Sequence, residues 1–473
     1  MARFLVVGGG ISGLVTAWYL SQAGESVQLI ESAPGLGGSI GTAREQGYLR
    51  ELGPNTVMVS KPGFQALVET LGLGETAREA NQAANTRYIV KDGRPRPLPM
   101  GPGGFIATPL FSPWAKLRLF GEPLIGRAQG EQSIAEFVRR RLGREVLDWA
   151  VDPFISGVYA GDPERLSLAA ALPRLHALES GHGSLVRGGL AMAKEKRQQR
   201  KAAKAVGAPA PKAKTKARLV SFDGGLATLI NGLGHALGSS VETGVTATGL
   251  TPTAGGWRVQ CGAREYEAEQ VILSVPAHAA AALVAPLSAT AAAQLEAIHY
   301  PPVASVALGF RRADIAHPLD GFGALIPRRL GIPTLGVLFS STLFEERAPQ
   351  GHVLLTAFLG GARNPGVGAM EPDAIVEQVR ADLTPLLGLN GAPDFQAVTM
   401  WPRAIPQYEL GHLDRLAAID QALAHHSGLH FRANWRDGIS VGDCIQAAED
   451  LALRLTADGP RDEVAPAPAA LAG

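Results

Sequence analysis

The sequence is poor in the features that mark several large classes of protein. It has two cysteines, Cys261 and Cys444, which are too few for a disulfide framework or a cysteine-rich zinc site and favour a reduced, cytoplasmic setting. The formal net charge is +1, so the chain has no overall field that would attract nucleic acid. It contains neither an H-E-x-x-H motif nor a run of about eighteen apolar residues, so we expect no metal ion and no membrane-spanning helix.

The length and composition indicate a globular protein built from more than one unit. A chain of 473 residues is too long for one ordinary core, so we expect two or three structural units. Hydrophobic residues make up 46% of the chain and charged residues 18%, which separates it from intrinsically disordered proteins.

The first 31 residues follow the order strand, glycine-rich turn, helix, strand and acid. The apolar run RFLVV enters the turn GGGISG, LVTAWYLSQAG has helical spacing, and SVQLIE ends at Glu31. In this motif Gly8 permits the tight turn, Gly10 lets the backbone approach a pyrophosphate, and Gly13 allows close helix packing. Glu31 follows Gly10 by 21 residues, the spacing of an acid that accepts ribose hydroxyls and disfavours a 2′-phosphate. The sequence therefore predicts a dinucleotide site that does not take NADP.

Two later segments add glycines to this pattern. SAPGLGGSI contains Gly37 and Gly38, and YLRELGPNT ends in Gly53-Pro54-Asn55-Thr56. The run VVGGGISGLVTAWYLSQAGESVQLIESAPGLGG resembles the dinucleotide-binding signature of the amine-oxidase-like flavoproteins, which include monoamine oxidases, phytoene desaturases and protoporphyrinogen oxidases. The resemblance implies FAD, bound without a covalent link, rather than NAD.

Longer segments resemble one family within that superfamily. PFISGVYAGDPERLS, FDGGLATL, GFGALIP, WPRAIPQYELGHL and GISVGDCI are similar to stretches of the plant-type protoporphyrinogen oxidases, in the same order from Arg3 to about Leu455. The resemblance implies oxygen-dependent oxidation of protoporphyrinogen IX to protoporphyrin IX in heme biosynthesis. Six electrons would leave by hydride transfer to FAD, with hydrogen peroxide as a product. We assign no residue as a catalytic acid or base, and we interpret the histidines as surface or hydrogen-bonded residues.

The same resemblance implies which residues surround the cofactor. The implied FAD contacts are Gly8, Gly9, Gly10, Ile11, Ser12, Gly13, Glu31, Ser32, Gly37, Gly38, Ser39, Gly53, Pro54, Asn55, Thr56, Ala247, Trp401, Ile439, Ser440 and Val441. Ile439–Val441 precede the amphipathic segment IQAAEDLALRL, so they are predicted at a helix N-terminus near the flavin ring. There the Ser440 hydroxyl is interpreted as incidental.

The resemblance also implies a substrate site. Arg87 would bind a substrate carboxylate, because its planar fork pairs with carboxylate through two parallel hydrogen bonds. Asn55 and Gly157 would lie beside the macrocycle. Apolar walls would come from Leu325, Leu338 and Phe358. From spacing alone, Arg87 would be a surface residue and the three apolar residues ordinary core.

The predicted fold class is α/β, mixed with α+β. It comprises a Rossmann-type FAD-binding domain, a substrate-binding sheet domain and a helical domain, for which membrane association is a hypothesis. The predicted division is FAD-binding residues 1–82, substrate-binding residues 83–110, helical residues 111–193, a basic flexible loop 194–218, FAD-binding residues 219–290, substrate-binding residues 291–400, FAD-binding residues 401–456 and a disordered tail 457–473. The loop holds ten Lys and Arg residues against one acid. We favour a solvated loop; a patch that meets an anionic membrane is the second hypothesis.

Other interpretations stay open. Coproporphyrinogen III oxidase acts on a substrate with four propionates and should need more cationic contacts. A flavin amine oxidase or desaturase is a further alternative, and Cys444 could then attach the flavin. GISVG fits the G-x-S-x-G elbow of serine hydrolases, but the last histidine, His430, precedes Ser440, which argues against that class. A non-catalytic FAD-binding scaffold is the alternative outside the enzymes.

The expected partners follow from this reaction. They are a tetrapyrrole substrate and molecular oxygen, with no nucleic acid. We expect a cytoplasmic protein, for which peripheral contact with the inner face of the cell membrane is a hypothesis. The oligomeric state is left open between a monomer and a homodimer.

Overall fold

The computed structural model describes residues 2–59, 62–99, 101–205 and 218–457. Its strands are β1 (Ala2–Val7), β2 (Val27–Glu31), β3 (Thr42–Glu45), β4 (Tyr48–Glu51), β5 (Val57–Val59), β6 (Ala77–Glu79), β7 (Tyr88–Lys91), β8 (Arg94–Pro97), β9 (Arg218–Phe222), β10 (Val241–Thr243), β11 (Gly249–Thr253), β12 (Gly256–Cys261), β13 (Arg264–Leu273), β14 (Val303–Arg311), β15 (Gly323–Leu325), β16 (Thr334–Phe339), β17 (His352–Gly360), β18 (Phe395–Trp401) and β19 (Leu429–Phe431). Its helices are α1 (Ile11–Gln22), α2 (Pro62–Thr70), α3 (Gly101–Ala107), α4 (Pro113–Arg118), α5 (Ile134–Arg141), α6 (Arg144–Val146), α7 (Asp152–Tyr159), α8 (Leu168–Ala171), α9 (Pro173–His182), α10 (Leu185–Ala205), α11 (Ala227–Leu237), α12 (Ala277–Val284), α13 (Ala289–Glu296), α14 (Ser340–Leu343), α15 (Pro372–Leu387), α16 (His412–Leu423) and α17 (Val441–Ala457).

The first large sheet has the strand order β10-β2-β1-β13-β12-β11, with β19 beside β13. Strand β1 runs parallel to both β2 and β13, as expected for a strand that leads into a crossover helix. Its side chains alternate between two cores. Phe4 and Val6 pack with α1, α11 and α17, whereas Leu5 and Val7 pack with α12, α13 and α16. The run RFLVV is continuously apolar because helices cover both faces of this sheet.

The second large sheet has the order β18-β14-β17-β16-β15-β7-β8 and is mainly antiparallel. The predicted hairpin around Asp92-Gly93 forms its edge as β7 and β8. One face of the sheet packs against α15 through Val306, Leu308 and Val337, all of which are buried. On the opposite face, Ala307 and Leu354 pack against Tyr48 of β4, and Ile89 packs in the core of the helical region.

The helical region lies between residues 101 and 205 and has its own apolar core. Helix α5 begins at the predicted capping box, in which Ser133 and Glu136 each accept a hydrogen bond from the other residue's backbone N–H. Buried Arg141 forms ion pairs with Glu122 at 2.8 Å and Glu179 at 2.7 Å, which joins distant segments of the region. Within the described ranges, no helix combines the length and the apolar character needed to cross a bilayer.

The predicted fold class is confirmed, but one predicted boundary is wrong. Residues 194–205 belong to helix α10 and not to a flexible loop. Lysine, arginine, glutamine and alanine are strong helix formers, and in this segment their propensity outweighs the repulsion between like charges. The rest of the predicted loop, up to residue 217, and the predicted tail from residue 458 lie outside the described residues.

Candidate functional site

The turn between β1 and α1 leaves space at one glycine and none at two others. A Cβ atom on Gly8 would lie 2.6 Å from the Ser274 carbonyl oxygen, and one on Gly13 would lie 1.9 Å from the Gly8 carbonyl oxygen. A Cβ on Gly10 would meet no atom within 4 Å. Gly10 is also the N-cap of α1, and no side chain caps its N–H groups. The turn therefore fits a pyrophosphate beside Gly10, where backbone donors and the positive end of the helix dipole favour an anion.

The second and third glycine clusters lie against this turn. The Gly37 N–H donates to the Gly9 carbonyl oxygen at 2.8 Å, and Gly37 has a left-handed φ of +114°. A Cβ on Gly38 would lie 3.4 Å from the Cα of Gly10, and one on Gly53 would lie 2.2 Å from the Ser39 carbonyl oxygen. The fold thus brings together segments that the sequence separates by more than forty residues.

Glu31 stands at the end of β2, beside the glycine turn. Its carboxylate accepts hydrogen bonds from the Gly9 N–H at 2.6 Å and the Ala33 N–H at 2.8 Å, and from the Ser32 hydroxyl at 3.1 Å. Its backbone carbonyl accepts from the Val245 N–H at 2.8 Å, which places the segment containing Ala247 next to β2. The carboxylate is half-buried at this edge, which suits recognition of a ribose hydroxyl.

The segment GISVG forms the N-terminus of α17. The Ser440 hydroxyl accepts a hydrogen bond from the Asp443 N–H at 3.1 Å and donates to the Asp443 carboxylate at 2.6 Å. The hydroxyl therefore caps the helix, which is a structural role, and its interpretation as incidental to the chemistry stays a prediction. Val441 and Cys444 pack in the same core as α1. Burial raises the pKa of the Cys444 thiol to about 12, so this thiol is a poor nucleophile for flavin attachment.

Replacing Ser440 with alanine should lower the free energy of unfolding by about 1 kcal/mol, the usual value of a lost N-cap. The enzyme should nevertheless keep most of its activity and its FAD, because both hydrogen bonds of the Ser440 hydroxyl go to Asp443 and the predicted cofactor contact is made by the backbone. Urea unfolding and a turnover assay measure the two effects. Loss of activity with FAD still bound would contradict this assignment and restore Ser440 as a candidate nucleophile.

Tyr408 is a residue of this region that the sequence analysis missed. Its hydroxyl accepts a hydrogen bond from the Gly438 N–H at 2.9 Å and donates to the Asn434 carbonyl oxygen. Burial raises the pKa of this phenol well above its usual value, so the hydroxyl stays a donor. The Tyr408 carbonyl accepts from the Ser167 N–H at 2.8 Å. Tyr408 therefore ties the loop before α17 to the helical region, a contact that no local spacing in WPRAIPQYELGHL indicates.

His412 stacks on Tyr408 with ring centroids 4.3 Å apart and an angle of 13° between the rings. Burial and then the neighbouring Arg415 lower the pKa of this imidazole to about 4. Because the unfolded chain binds this proton near pH 6.5 and the folded chain does not, stability is full above pH 6.5 and falls as the pH drops toward 4. The loss from this one group should reach about 3 kcal/mol.

The variant His412→Phe keeps the stacking and removes the titration. Its free energy of unfolding, measured in urea between pH 4 and 7, should depend less on pH than that of the wild type. The exposed His235→Gln variant is the control and should keep the wild-type slope. An unchanged slope in His412→Phe would mean that other groups cause the acid sensitivity.

The predicted apolar walls share one face of the second sheet. Leu325 pairs with Gly336, and Gly336 pairs with Phe358, so Leu325 and Phe358 lie in one row across three strands. Leu338 lies two residues beyond Gly336 and thus on the same face. These three side chains are half-exposed, whereas their neighbours Ala324, Val337 and Ala357 are buried on the other face. The exposed row is an apolar surface without a complete protein cover.

The same sheet face meets the cofactor region and helix α7. Trp401 donates from Nε1 to the Leu52 carbonyl oxygen at 2.7 Å, directly before Gly53. Asn55 follows in the same segment and lines a small cavity together with Thr356 of β17. On the other side, a Cβ atom on Gly157 would lie 2.4 Å from Cδ2 of Leu325, so a larger residue in α7 would displace the Leu325 side chain.

Arg87 precedes β7, in which Ile89 pairs with Leu325. Alternation along an extended chain puts Arg87 on the same face as Ile89 and therefore on the face of the apolar row. Its guanidinium lies 5.3 Å from the Phe322 ring centroid, and it forms no ion pair with any residue that the structure describes. The structure thus brings an exposed cation to an apolar surface beside the predicted FAD site, an arrangement that can orient a large apolar carboxylate for oxidation.

The fold and this site define the chain as an FAD-dependent oxidoreductase, and it belongs to the flavin containing amine oxidoreductase family, whose profile matches residues 11–455. Within that family it groups with the protoporphyrinogen oxidases. It is 36% identical to the chloroplastic protoporphyrinogen oxidase of Oryza sativa subsp. japonica, over 96% of this chain and 88% of that protein. It is also similar to the coproporphyrinogen III oxidase of Bacillus subtilis (strain 168), at 29% identity over 93% of this chain and 95% of that protein.

Solved structures share this fold at lower identity. A protein of Exiguobacterium sp. 255-15 matches with a TM-score of 0.80 and 24% identity, over 96% of this chain and 99% of that one. Cyclohexylamine oxidase from Brevibacterium oxydans IH-35A matches with a TM-score of 0.67 and 16% identity, over 96% and 99%. At these identities the likeness concerns the fold alone.

Proposed function

We propose that the chain oxidises protoporphyrinogen IX to protoporphyrin IX, with molecular oxygen as the final acceptor. The observation that carries this proposal is the similarity to a protoporphyrinogen oxidase along 96% of the chain. The half-exposed apolar row lies next to Arg87, which forms no ion pair with the part of the chain that the structure describes. This supports the proposal, because the substrate combines a wide apolar macrocycle with two propionates.

The chain's own residues would bind and orient both partners. FAD, when bound, supplies the electron acceptor of the reaction. Gly10 and the N-terminus of α1 would hold its pyrophosphate, and Glu31 would hold its ribose. Leu325, Leu338 and Phe358 would contact the macrocycle, and Arg87 would pair with one propionate. Gly157 would expose its backbone carbonyl beside the macrocycle, while Asn55 would face the macrocycle from the cofactor side.

A side-by-side turnover assay tests the substrate. Porphyrin fluorescence would be followed after addition of protoporphyrinogen IX or coproporphyrinogen III to the purified protein under air. We expect kcat/KM to be at least about tenfold higher for protoporphyrinogen IX. Coproporphyrinogen III carries two further propionates, and removing them from water at an apolar surface without cationic partners costs about 1.4 kcal/mol or more. Equal or reversed preference would support the second candidate, coproporphyrinogen III oxidase, which the similarity to the Bacillus subtilis enzyme favours.

The domain division and the oligomeric state are part of the same proposal. We propose that residues 1–82, 219–290 and 401–456 act as the FAD-binding domain, because they supply the first sheet and its helices. Residues 83–110 and 291–400 would act as the substrate domain around the second sheet. A homodimer is a hypothesis that sedimentation velocity would test.

We also propose peripheral contact with a membrane through the helical region. A set of exposed apolar side chains, named here the apolar patch, consists of Ile106, Trp114, Leu117, Phe120, Leu124, Val186, Leu190 and Met192. Buried Glu122 accepts hydrogen bonds from the N–H groups of Leu185 and Val186, which holds the two halves of this patch together. Several large apolar side chains exposed on one region are typical of an interaction site.

Vesicle sedimentation tests the membrane contact. The double variant Phe120→Ser/Leu124→Ser should bind phosphatidylglycerol vesicles much more weakly than the wild type, because two anchors that are 81% and 85% exposed are removed. Leu413→Ser is the control, since Leu413 is also exposed but lies on α16. Undiminished binding of the double variant would contradict the contact.

A further inference from the structure

A wide-open surface cavity of about 640 Å³ lies where the helical region meets β7 and the segment after β15, and none of the predicted FAD or substrate contacts lines it. Its volume falls within the range of about 300–1,000 Å³ that is typical of small-molecule sites. Three cationic side chains line it, Lys91, Lys116 and Arg329, together with one acid, Glu145. The cavity therefore has an excess of positive charge, although the whole chain is almost neutral.

The two lysines are held in place by carbonyl oxygens and not by carboxylates. Lys91 donates to the Pro109 and Leu110 carbonyl oxygens at 3.0 and 2.8 Å. Lys116 donates to the Ile106 and Thr108 carbonyl oxygens at 2.6 and 2.7 Å. An ammonium group has three N–H donors, so each lysine retains one, and the Lys91 ammonium also lies 4.9 Å from the Trp149 ring centroid. Neither forms an ion pair within 4.0 Å with a carboxylate of the described residues.

The acids beside the cavity are already engaged. The Glu145 carboxylate accepts hydrogen bonds from the Ser112 N–H at 2.8 Å and the Ser112 hydroxyl at 2.6 Å. Asp148 pairs with Arg329 at 3.3 Å, and the Arg329 guanidinium lies 4.4 Å from the Trp149 ring centroid. Against the opposing effect of burial, the Ser112 hydrogen bonds and the nearby Lys91 and Arg329 lower the pKa of the Glu145 carboxyl, so this acid offsets part of the cationic charge. Three cations against Glu145 and Asp148 still leave one net positive charge, which favours an anionic occupant.

Helix α4 connects the cavity to the apolar patch. Pro113 and Lys116 of this helix line the cavity, whereas Trp114 and Leu117 are 79% and 58% exposed on the same short helix. An anion in the cavity that carries an apolar chain could therefore extend that chain along the patch. Free phosphate or the carboxylate of a tetrapyrrole could pair with the cations, but neither would place an apolar chain along the apolar patch.

We propose that this cavity binds the phosphate of an anionic phospholipid headgroup, with Lys91 and Lys116 as the recognising cations. The inference rests on the membrane contact proposed above and names the lipid class that the contact selects. It does not depend on the oxidation reaction.

Soluble lipid binding tests the site without vesicles. Isothermal titration would measure binding of dihexanoyl phosphatidylglycerol, below its critical micelle concentration, to the FAD-loaded protein. We expect saturable binding that is about tenfold weaker or more in Lys91→Gln and in Lys116→Gln, because each variant removes a cation that would donate a charge-assisted hydrogen bond to the phosphate. Arg187→Gln removes an exposed charge of the patch helix α10 and should bind as the wild type.

Further controls distinguish a specific lipid site from non-specific attraction by surface charge and from misfolding of the variants. Lys116→Arg should retain binding, since it keeps the cation, and bound FAD reports the fold of every variant. If Arg187→Gln weakened lipid binding as much as the two lysine variants, surface charge alone would explain the effect and the proposal would be overturned. Equal affinity for dihexanoyl phosphatidylcholine or for inorganic phosphate would also overturn it. Turnover in detergent is measured separately, so a failure of the proposed oxidation would leave this test intact.

Discussion

Replacing Gly10 with valine should give a folded protein that carries less than about a tenth of the wild-type FAD. A Cβ atom at this position meets no protein atom within 4 Å, and the backbone has φ −74° and ψ 176°, which valine readily adopts. The added methyl groups would therefore occupy the space beside the N-terminus of α1 where a pyrophosphate is expected. The pyrophosphate would then lose several hydrogen bonds from backbone N–H groups. Each hydrogen bond to such an anion contributes about 1.5–3 kcal/mol to binding.

Flavin absorbance per mole of purified protein measures this effect, and urea unfolding of the apo form measures the fold. The apo form of Gly10→Val should unfold within about 1 kcal/mol of wild-type apo protein, as is usual for a substitution into open space. Gly74→Val is the matched control, since Gly74 also faces open space but lies away from the turn. Gly13→Ala should instead fail to fold locally, because its Cβ would lie 1.9 Å from a carbonyl oxygen. A yellow, active Gly10→Val protein would disprove the nucleotide assignment.

Replacing Arg87 with glutamine should lower kcat/KM for protoporphyrinogen IX by about tenfold to a hundredfold. This range corresponds to the loss of a charge-assisted contact of about 1.5–3 kcal/mol. Arg87 makes no ion pair with the described residues, so its removal breaks no carboxylate contact within the protein. FAD content and stability should therefore stay close to those of the wild type.

Two variants sharpen this test. Arg87→Lys keeps the charge but loses the planar fork, so its kcat/KM should lie between those of the wild type and Arg87→Gln. Arg94→Gln removes an exposed charge of the same hairpin and should leave kcat/KM unchanged. An Arg87→Gln enzyme with wild-type kcat/KM would show that the substrate carboxylate binds elsewhere.

The cofactor segments were predictable because their determinants are mostly local. The turn Gly8–Gly13 joins a strand to the helix that follows it, and this order is visible in the sequence. The steric reason for Gly13 lies five residues away at Gly8, whereas the contact that requires glycine at position 8 comes from the distant Ser274. Glu31 at the end of the next strand and the capped start of α17 at Ser440 are likewise visible in the local sequence. The substrate residues were named from family resemblance, since spacing alone indicated an ordinary surface arginine and ordinary core.

The sequence by itself determined the dinucleotide turn, the alternating and continuous apolar runs that form the two sheets, and the absence of a long apolar segment. Only the tertiary structure decided which residues face each other. Strand register places Leu325 and Phe358 in one row, and the phenol of Tyr408 reaches Gly438 across 30 residues. The cations Lys91 and Arg329, 238 residues apart, meet at one cavity. Such contacts depend on the packing of whole elements, whereas a linear pattern carries only the preferences of each element.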